Sequence, residues 1–232
     1  MFLSGINEGF EMPNIIFKSK EDIQLFIIND KDEYIKNMTI YDLRARKVKT
    51  REEYINIIVT NVLDFNEFQM NKLKRCSIKA SEYFNNGKEW KFALISSAYE
   101  EGFPHTREDI IFLSPSILNL DDNMLIKTLI HESIHIYQRY NKREMDEYMI
   151  KNGFEKIRKK NKGELIRSNP DLDEFIYKDK NGIEMKALYN SENPNGIGDI
   201  KISHNMEHPY EYMAYEIAEN YYKSLLAKYK EI

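Results

Sequence analysis

Thr128-Leu129-Ile130-His131-Glu132-Ser133-Ile134-His135-Ile136-Tyr137-Gln138 carries the pattern H-E-x-x-H inside an apolar run. On an α-helix His131 and His135 fall one turn apart on a shared face, so both imidazoles can reach a single metal ion. Glu132 leans toward the same ion with the reach of a base rather than of a ligand. Zinc suits the set, because imidazole nitrogen binds it well and a catalytic zinc site leaves one position open to water. The competing reading is a pair of helical histidines satisfied by hydrogen bonds. Leu125, Leu129, Ile130, Ile134 and Ile136 weigh against it. They make the helix apolar on several sides and predict burial, where His, Glu and His all need partners.

A third ligand is expected downstream. His208 falls at a helix cap position and Pro209 at the first helical residue, where a missing N–H costs little. Ala214, Ile217, Ala218, Tyr221 and Leu225 then form one helical face. Glu211, three residues before Ala214 and seven before Ala218, shares that inward face. A carboxylate there needs a partner, which makes Glu211 the candidate ligand. The two alanines let this helix approach the first one closely. Glu207, Glu216 and Glu219 are rivals: Glu207 precedes the proline, and the other two fall away from the alanine face.

Upstream of the motif, Trp90-Lys91-Phe92-Ala93-Leu94-Ile95 and Asp109-Ile110-Ile111-Phe112-Leu113 read as strands. Ser114-Pro115 ends the second, and Asp121 or Asp122 caps the helix bearing the motif. An exposed strand edge can hold an extended peptide by main-chain hydrogen bonds. The sequence leaves open which strand is the edge, and whether these strands only form core. His105, after Pro104, reads as an exposed loop histidine. Beyond the motif, Met145, Met149 and Phe154 mark another helix, and Asn169-Pro170-Asp171 a turn. Two further strands, Phe175-Ile176-Tyr177 and 183–189, flank the hairpin signal Asp179-Lys180-Asn181-Gly182. The first third has a short strand at 14–17 and helices opened by Ser19, Thr50 and Asn66, with Cys76 as a core residue and no evident chemistry. The expected class is α+β, mainly helical with a small antiparallel sheet beside the H-E-x-x-H helix. Residues 1–86 form a mostly helical N-terminal region and 87–232 the catalytic region, within one compact domain.

Composition narrows the partners. The chain has 232 residues, 42% apolar, enough for a sizeable core. A formal net charge of −4 and a pI near 5.8 lack the basic excess of a nucleic-acid binder. No apolar run reaches bilayer length, so no membrane partner is expected. A single cysteine excludes an intrachain disulfide. With no signal-peptide pattern at the start, it predicts a cytoplasmic or otherwise intracellular setting.

His131-Glu132-x-x-His135 followed by Pro209-Tyr210-Glu211-Tyr212-Met213-Ala214 resembles the zincin zinc metallopeptidases, in the gluzincin-like branch whose third ligand is a glutamate on a later helix. A P-x-E-x-x-A segment after H-E-x-x-H recurs in several such families, and the resemblance covers roughly the second half of the chain. It implies a zincin-like fold, a Zn2+ ion held by His131, His135 and Glu211, and a protein or peptide substrate. Glu132 would be the general base for peptide-bond hydrolysis. A second oxyanion donor is also implied, with Tyr215, His204 and His208 as candidates. In a chain with sixteen tyrosines the core reading of Tyr215 is slightly the stronger one, and His208 reads equally as a helix cap. The metzincin extension requires Gly at 138 and His at 141; Gln138 and Asn141 exclude it. The thermolysin-like N-E-x-x-S-D segment is absent. Two other classes stay open: a non-catalytic zinc-stabilised protein, and a helical protein-interaction module with an accidental motif. Glu132 weighs against the first, since a purely structural site needs no base there.

Overall fold

The computed structural model describes residues 12–230. In chain order the elements are β1 (Ile15–Phe17), α1 (Lys20–Asn29), α2 (Tyr34–Asn37), α3 (Ile40–Ala45), α4 (Arg51–Thr60), β2 (Val62–Leu63), α5 (Glu67–Tyr83), β3 (Trp90–Ile95), β4 (His105–Arg107) and β5 (Ile110–Leu113). They continue with α6 (Pro115–Leu118), α7 (Asp122–Tyr140), α8 (Lys142–Asn152), β6 (Glu155–Lys159), β7 (Phe175–Lys178), β8 (Glu184–Met185), β9 (Ala187–Tyr189), β10 (Ile200–Ile202) and α9 (Pro209–Lys230). Among the described residues, no helix is long and apolar enough to cross a membrane.

The main sheet has the order β1-β3-β5-β4, with β2 also paired to β3. β1, β3 and β5 run parallel, with Phe17 opposite Phe92 and Phe92 opposite Ile111. β2 and β4 are antiparallel additions. The α+β class stands, and the sheet beside α7 is mixed; the purely antiparallel sheets are two smaller ones, β6-β7-β8 and β9-β10. From Phe92 to Ile95 the central strand reads as a continuous apolar run because helices cover both faces of the sheet. Phe92 and Leu94 pack with residues of α5 and α7, including Leu73, Cys76, Leu125 and Leu129. Ala93 and Ile95 pack on the other face with Ile23, Ile27, Tyr54 and Ile58 of α1 and α4. β1 and β2, from before residue 86, thus pair with a strand from after it.

Local signals place the helix ends. Ser19, Thr50 and Asn66 accept hydrogen bonds from the backbone N–H three residues on. Asp121, rather than Asp122, caps α7 by accepting from Asn123 and Met124, which satisfies two of the free N–H groups of the first turn. His208 Nδ1 accepts from the Tyr210 N–H at 3.1 Å, so an imidazole does the capping of α9. The hairpin forms at 179–182, with Tyr177 opposite Met185, but its second strand is broken at Lys186 into β8 and β9. Ser114-Pro115 ends β5 as expected, and the proline then opens α6. One expectation fails at His105. It lies in β4, is 3% exposed, and stacks on Phe112 with ring centroids 5.1 Å apart. Three positions between a loop-like Pro104 and Glu108 carry too little periodicity to announce a strand.

Candidate metal centre

α7 and α9 are the most extensively packed pair of elements in the fold. Ala214 and Ala218, both fully buried, lie in the same core as Leu125, Leu129 and Ile130 of α7. Small side chains at that contact let the helix axes approach. The approach brings Glu211, one turn before Ala214, up to the two histidines.

His131 Nε2 and His135 Nε2 are 3.1 Å apart. Glu211 Oε2 is 3.4 Å from the first, and Oε1 is 3.8 Å from the second. One ligand atom from each residue lies within 4.8 Å of the others. In a tetrahedral zinc site with bonds of about 2.0–2.1 Å, two ligand atoms sit about 3.3 Å apart. The two imidazole nitrogens meet that spacing, the carboxylate faces both rings through its two different oxygens at slightly longer range, and the donor set of two imidazoles and a carboxylate suits zinc. Three groups rich in lone pairs converging this closely call for positive charge among them. Burial raises the Glu211 carboxyl, but the imidazoles of His135 and His131, with Arg167, outweigh it and hold the group down at about 2. Burial keeps His135 below the ordinary imidazole value.

Two of the rivals of Glu211 are engaged elsewhere. Glu207 is paired with Arg167 and accepts from Asn169 Nδ2 at 3.0 Å. Glu219 pairs with Lys127. Glu216 is exposed to solvent.

Glu132 is 2% exposed, and its Oε2 has no hydrogen-bond partner among the described residues. It lines a cavity of about 620 Å³ together with His131 and Glu211. Burial raises its pKa well above the ordinary carboxylate value, and the nearby carboxylates of Asp171 and Glu211 raise it further. Tyr215 lines the same cavity; its ring meets that of His131 edge-on at 4.6 Å, and the residue is half-exposed rather than core. His204 pairs with Asp179 at 3.2 Å, and His208 is buried between Asp173 and the Tyr210 N–H. Of the three candidate oxyanion donors, the structure places only Tyr215 at the cavity.

A belt from Arg167 to Asp171 also lines the cavity, and every residue in it is tied to another part of the fold. Arg167 pairs with Glu207. Ser168 donates through N and Oγ to Asp42 of α3. Asn169 Nδ2 donates to both Glu207 and Glu211, the latter at 3.2 Å. The Pro170 carbonyl accepts from Arg139. Asp171 Oδ1 accepts from the Thr106 N–H at 2.6 Å and from its hydroxyl at 2.8 Å. This belt changes the expected role of the sheet edge. β4 is the end strand nearest the cavity, but the outward N–H of Thr106 is taken by Asp171. Arg139 takes the carbonyls of Thr106, at 3.5 Å, and of Glu108, at 2.5 Å. Over these residues the edge is already paired within the chain.

Arg139, Asn169, Asp171 and Asp42 are therefore site-supporting residues that the sequence did not reveal. Asn169-Pro170-Asp171 reads only as a turn, and Asp42 draws no reading of its own. Nothing local marks their long-range partners. No protein-family model, curated protein or solved structure matches the chain.

Proposed function

We propose that the chain is a zinc-dependent metallopeptidase of zincin type, hydrolysing peptide bonds with Glu132 as general base. The observation that carries the proposal is the convergence of His131, His135 and Glu211 on one point beside a buried carboxylate oxygen with no partner. His131 and His135 would hold the ion through Nε2, and Glu211 through its carboxylate. A zinc ion so held supplies a water acidic enough to lose a proton near neutrality and a positive charge for a developing oxyanion. Glu132 receives that proton at its carboxylate and returns it to the leaving amine. Its raised pKa suits a group that must take up and release a proton, and a bound cation draws it back toward the ordinary range. Tyr215 stands one helical turn past Glu211, where its hydroxyl can donate to the oxyanion.

Substrate reaches the site through the cavity rather than by pairing along β4 at Thr106. Phe103, Met124, Ile202 and Met206 line the cavity alongside the polar belt, so an apolar side chain beside the cleaved bond fits it.

Metal analysis of the purified chain and of Glu211→Ala tests the ligand set: about one zinc per chain is expected in the parent and a large loss in the variant. Glu132→Gln should keep the zinc and lower peptide hydrolysis by about 10²–10⁴-fold. A parent without zinc overturns the reading. Zinc retained with no hydrolysis in the parent leaves a metal-stapled structural protein instead.

A further inference from the structure

We infer that Gln138 is a positioning residue that fixes which nitrogen of His135 faces the metal site, and that it takes its own orientation from the helix carrying Glu211. The inference rests on His131, His135 and Glu211 being the ligand set.

Gln138 is fully buried on α7, three residues past His135. One end of its amide lies 2.9 Å from the Tyr210 carbonyl oxygen, and the other end 2.9 Å from His135 Nδ1. The two ends of an amide have nearly the same shape, so their identity follows from their partners. A backbone carbonyl only accepts. The NH2 end must therefore face Tyr210, which leaves the amide oxygen facing His135. That oxygen also only accepts, so His135 must carry its hydrogen on Nδ1. A neutral imidazole has one N–H. His135 Nε2 is then a bare lone pair, and it is the atom aimed at His131 Nε2 and Glu211.

The chain of constraint begins one residue from Glu211. Tyr210 belongs to the first turn of α9, so the docking of α9 on α7 sets the amide, the amide sets the imidazole, and the imidazole presents a donor atom of the required kind. A hydrogen bond to the non-ligating nitrogen also raises ligand basicity and holds the ring plane. Without Gln138, His135 could place its hydrogen on Nε2, which would have to be displaced before any ion binds.

The test uses the full-length chain labelled with nitrogen-15 at histidine. Metal-free parent and Gln138→Leu are compared by long-range proton–nitrogen correlation spectra, and zinc affinity is measured by competition with a chromophoric chelator. The parent is expected to show His135 as the Nδ1–H form. Gln138→Leu should shift it toward the Nε2–H form and weaken zinc binding by about 10–100-fold. Gln138→Glu, with one carboxyl oxygen protonated to donate to the Tyr210 carbonyl as the amide does, keeps an acceptor against His135 and should restore the Nδ1–H form. An Nε2–H form in the parent overturns the inference without any variant being needed. So does a folded Gln138→Leu that is less stable yet keeps the tautomer and the affinity, which is what a purely structural role predicts. A parent that binds no zinc but shows the Nδ1–H form, lost in Gln138→Leu, upholds the tautomer assignment and refutes the metallopeptidase reading.

Discussion

Replacing Ala214 with leucine asks whether the separation of α7 and α9 sets the metal centre. Ala214 is fully buried and lies one turn past Glu211. Axis separations between packed helices run from about 8 to 10 Å with the size of the side chains at the contact. A leucine at an alanine contact therefore moves the axes apart by roughly 1–2 Å. The Glu211 carboxylate now lies 3.4 and 3.8 Å from the two ring nitrogens, and metal–ligand distances tolerate only about 0.2 Å. The three torsions of glutamate recover part of a displacement that large, but not its alignment. The expected loss is at least about tenfold in zinc affinity, or about 1.4 kcal/mol. Overpacking adds about 1–3 kcal/mol of lost stability in the metal-free protein. Urea unfolding reads the stability and chelator competition the affinity, with Ala214→Ser as a control of similar volume. If Ala214→Leu is folded, destabilised by the expected amount and still binds zinc within twofold of the parent, helix spacing does not set the site. If its stability is unchanged, the close packing itself is refuted.

Other outcomes follow from the same geometry. Burial pushes His208, His105 and His135 below the ordinary imidazole value of 6.5. The unfolded chain then binds more protons than the folded one in mild acid, so stability is full above about pH 6.5 and falls as pH drops toward the folded values. Each group contributes up to about 1.4 kcal/mol per pH unit. Urea midpoints of metal-free protein at about pH 7.5 and 5.5 should show this, with a shallower fall in His208→Asn; equal midpoints in the parent would rule it out. Asp173, held at about 2 mainly by its hydrogen bond to His208 against the effect of burial, adds a separate loss in stronger acid, below its ordinary 3.8. Gly196→Ala should destabilise by about 0.5–1.5 kcal/mol, because the added carbon would meet Glu101 Oε1 at 2.0 Å and turn that exposed side chain away from the Ile197 N–H, whose hydrogen bond it now accepts at 2.8 Å; thermal unfolding checks it. Asp121→Ala should cost about 1 kcal/mol through loss of the α7 cap and leave zinc content unchanged, since the cap lies at the far end of the helix from His135.

What could be read in the sequence was what repeats or caps locally. The helical phase of Glu211 against Ala214 and Ala218 placed a carboxylate opposite two histidines 76 residues or more away in the chain. The caps at Ser19, Thr50 and Asn66 were visible, and that of α7 to within Asp121 or Asp122, because each satisfies N–H groups two or three residues on. β4 was invisible, being three residues long and made of His105, Thr106 and Arg107. So was the parallel pairing of β1 with β3, because the crossover between them passes through α1 to α5 and leaves no local mark. The belt at 167–171 escaped for the same reason, as its partners lie on α3, α7, β4 and α9. Gln138 was legible only as a departure from another motif, and its two contacts reach one turn back and 72 residues forward.

Asp42 receives Ser168 and the Tyr189 hydroxyl at 2.7–2.9 Å, while β1 and β2 lie along one edge of β3. Severing the backbone between residues 86 and 87 would leave each piece short of surfaces the other provides: one loses the strand its own two strands lie against, the other the anchor beneath its belt. Neither piece should hold zinc alone. Brought together by fused interacting domains they should regain it, so the pair could serve as a proximity sensor whose signal is metal uptake.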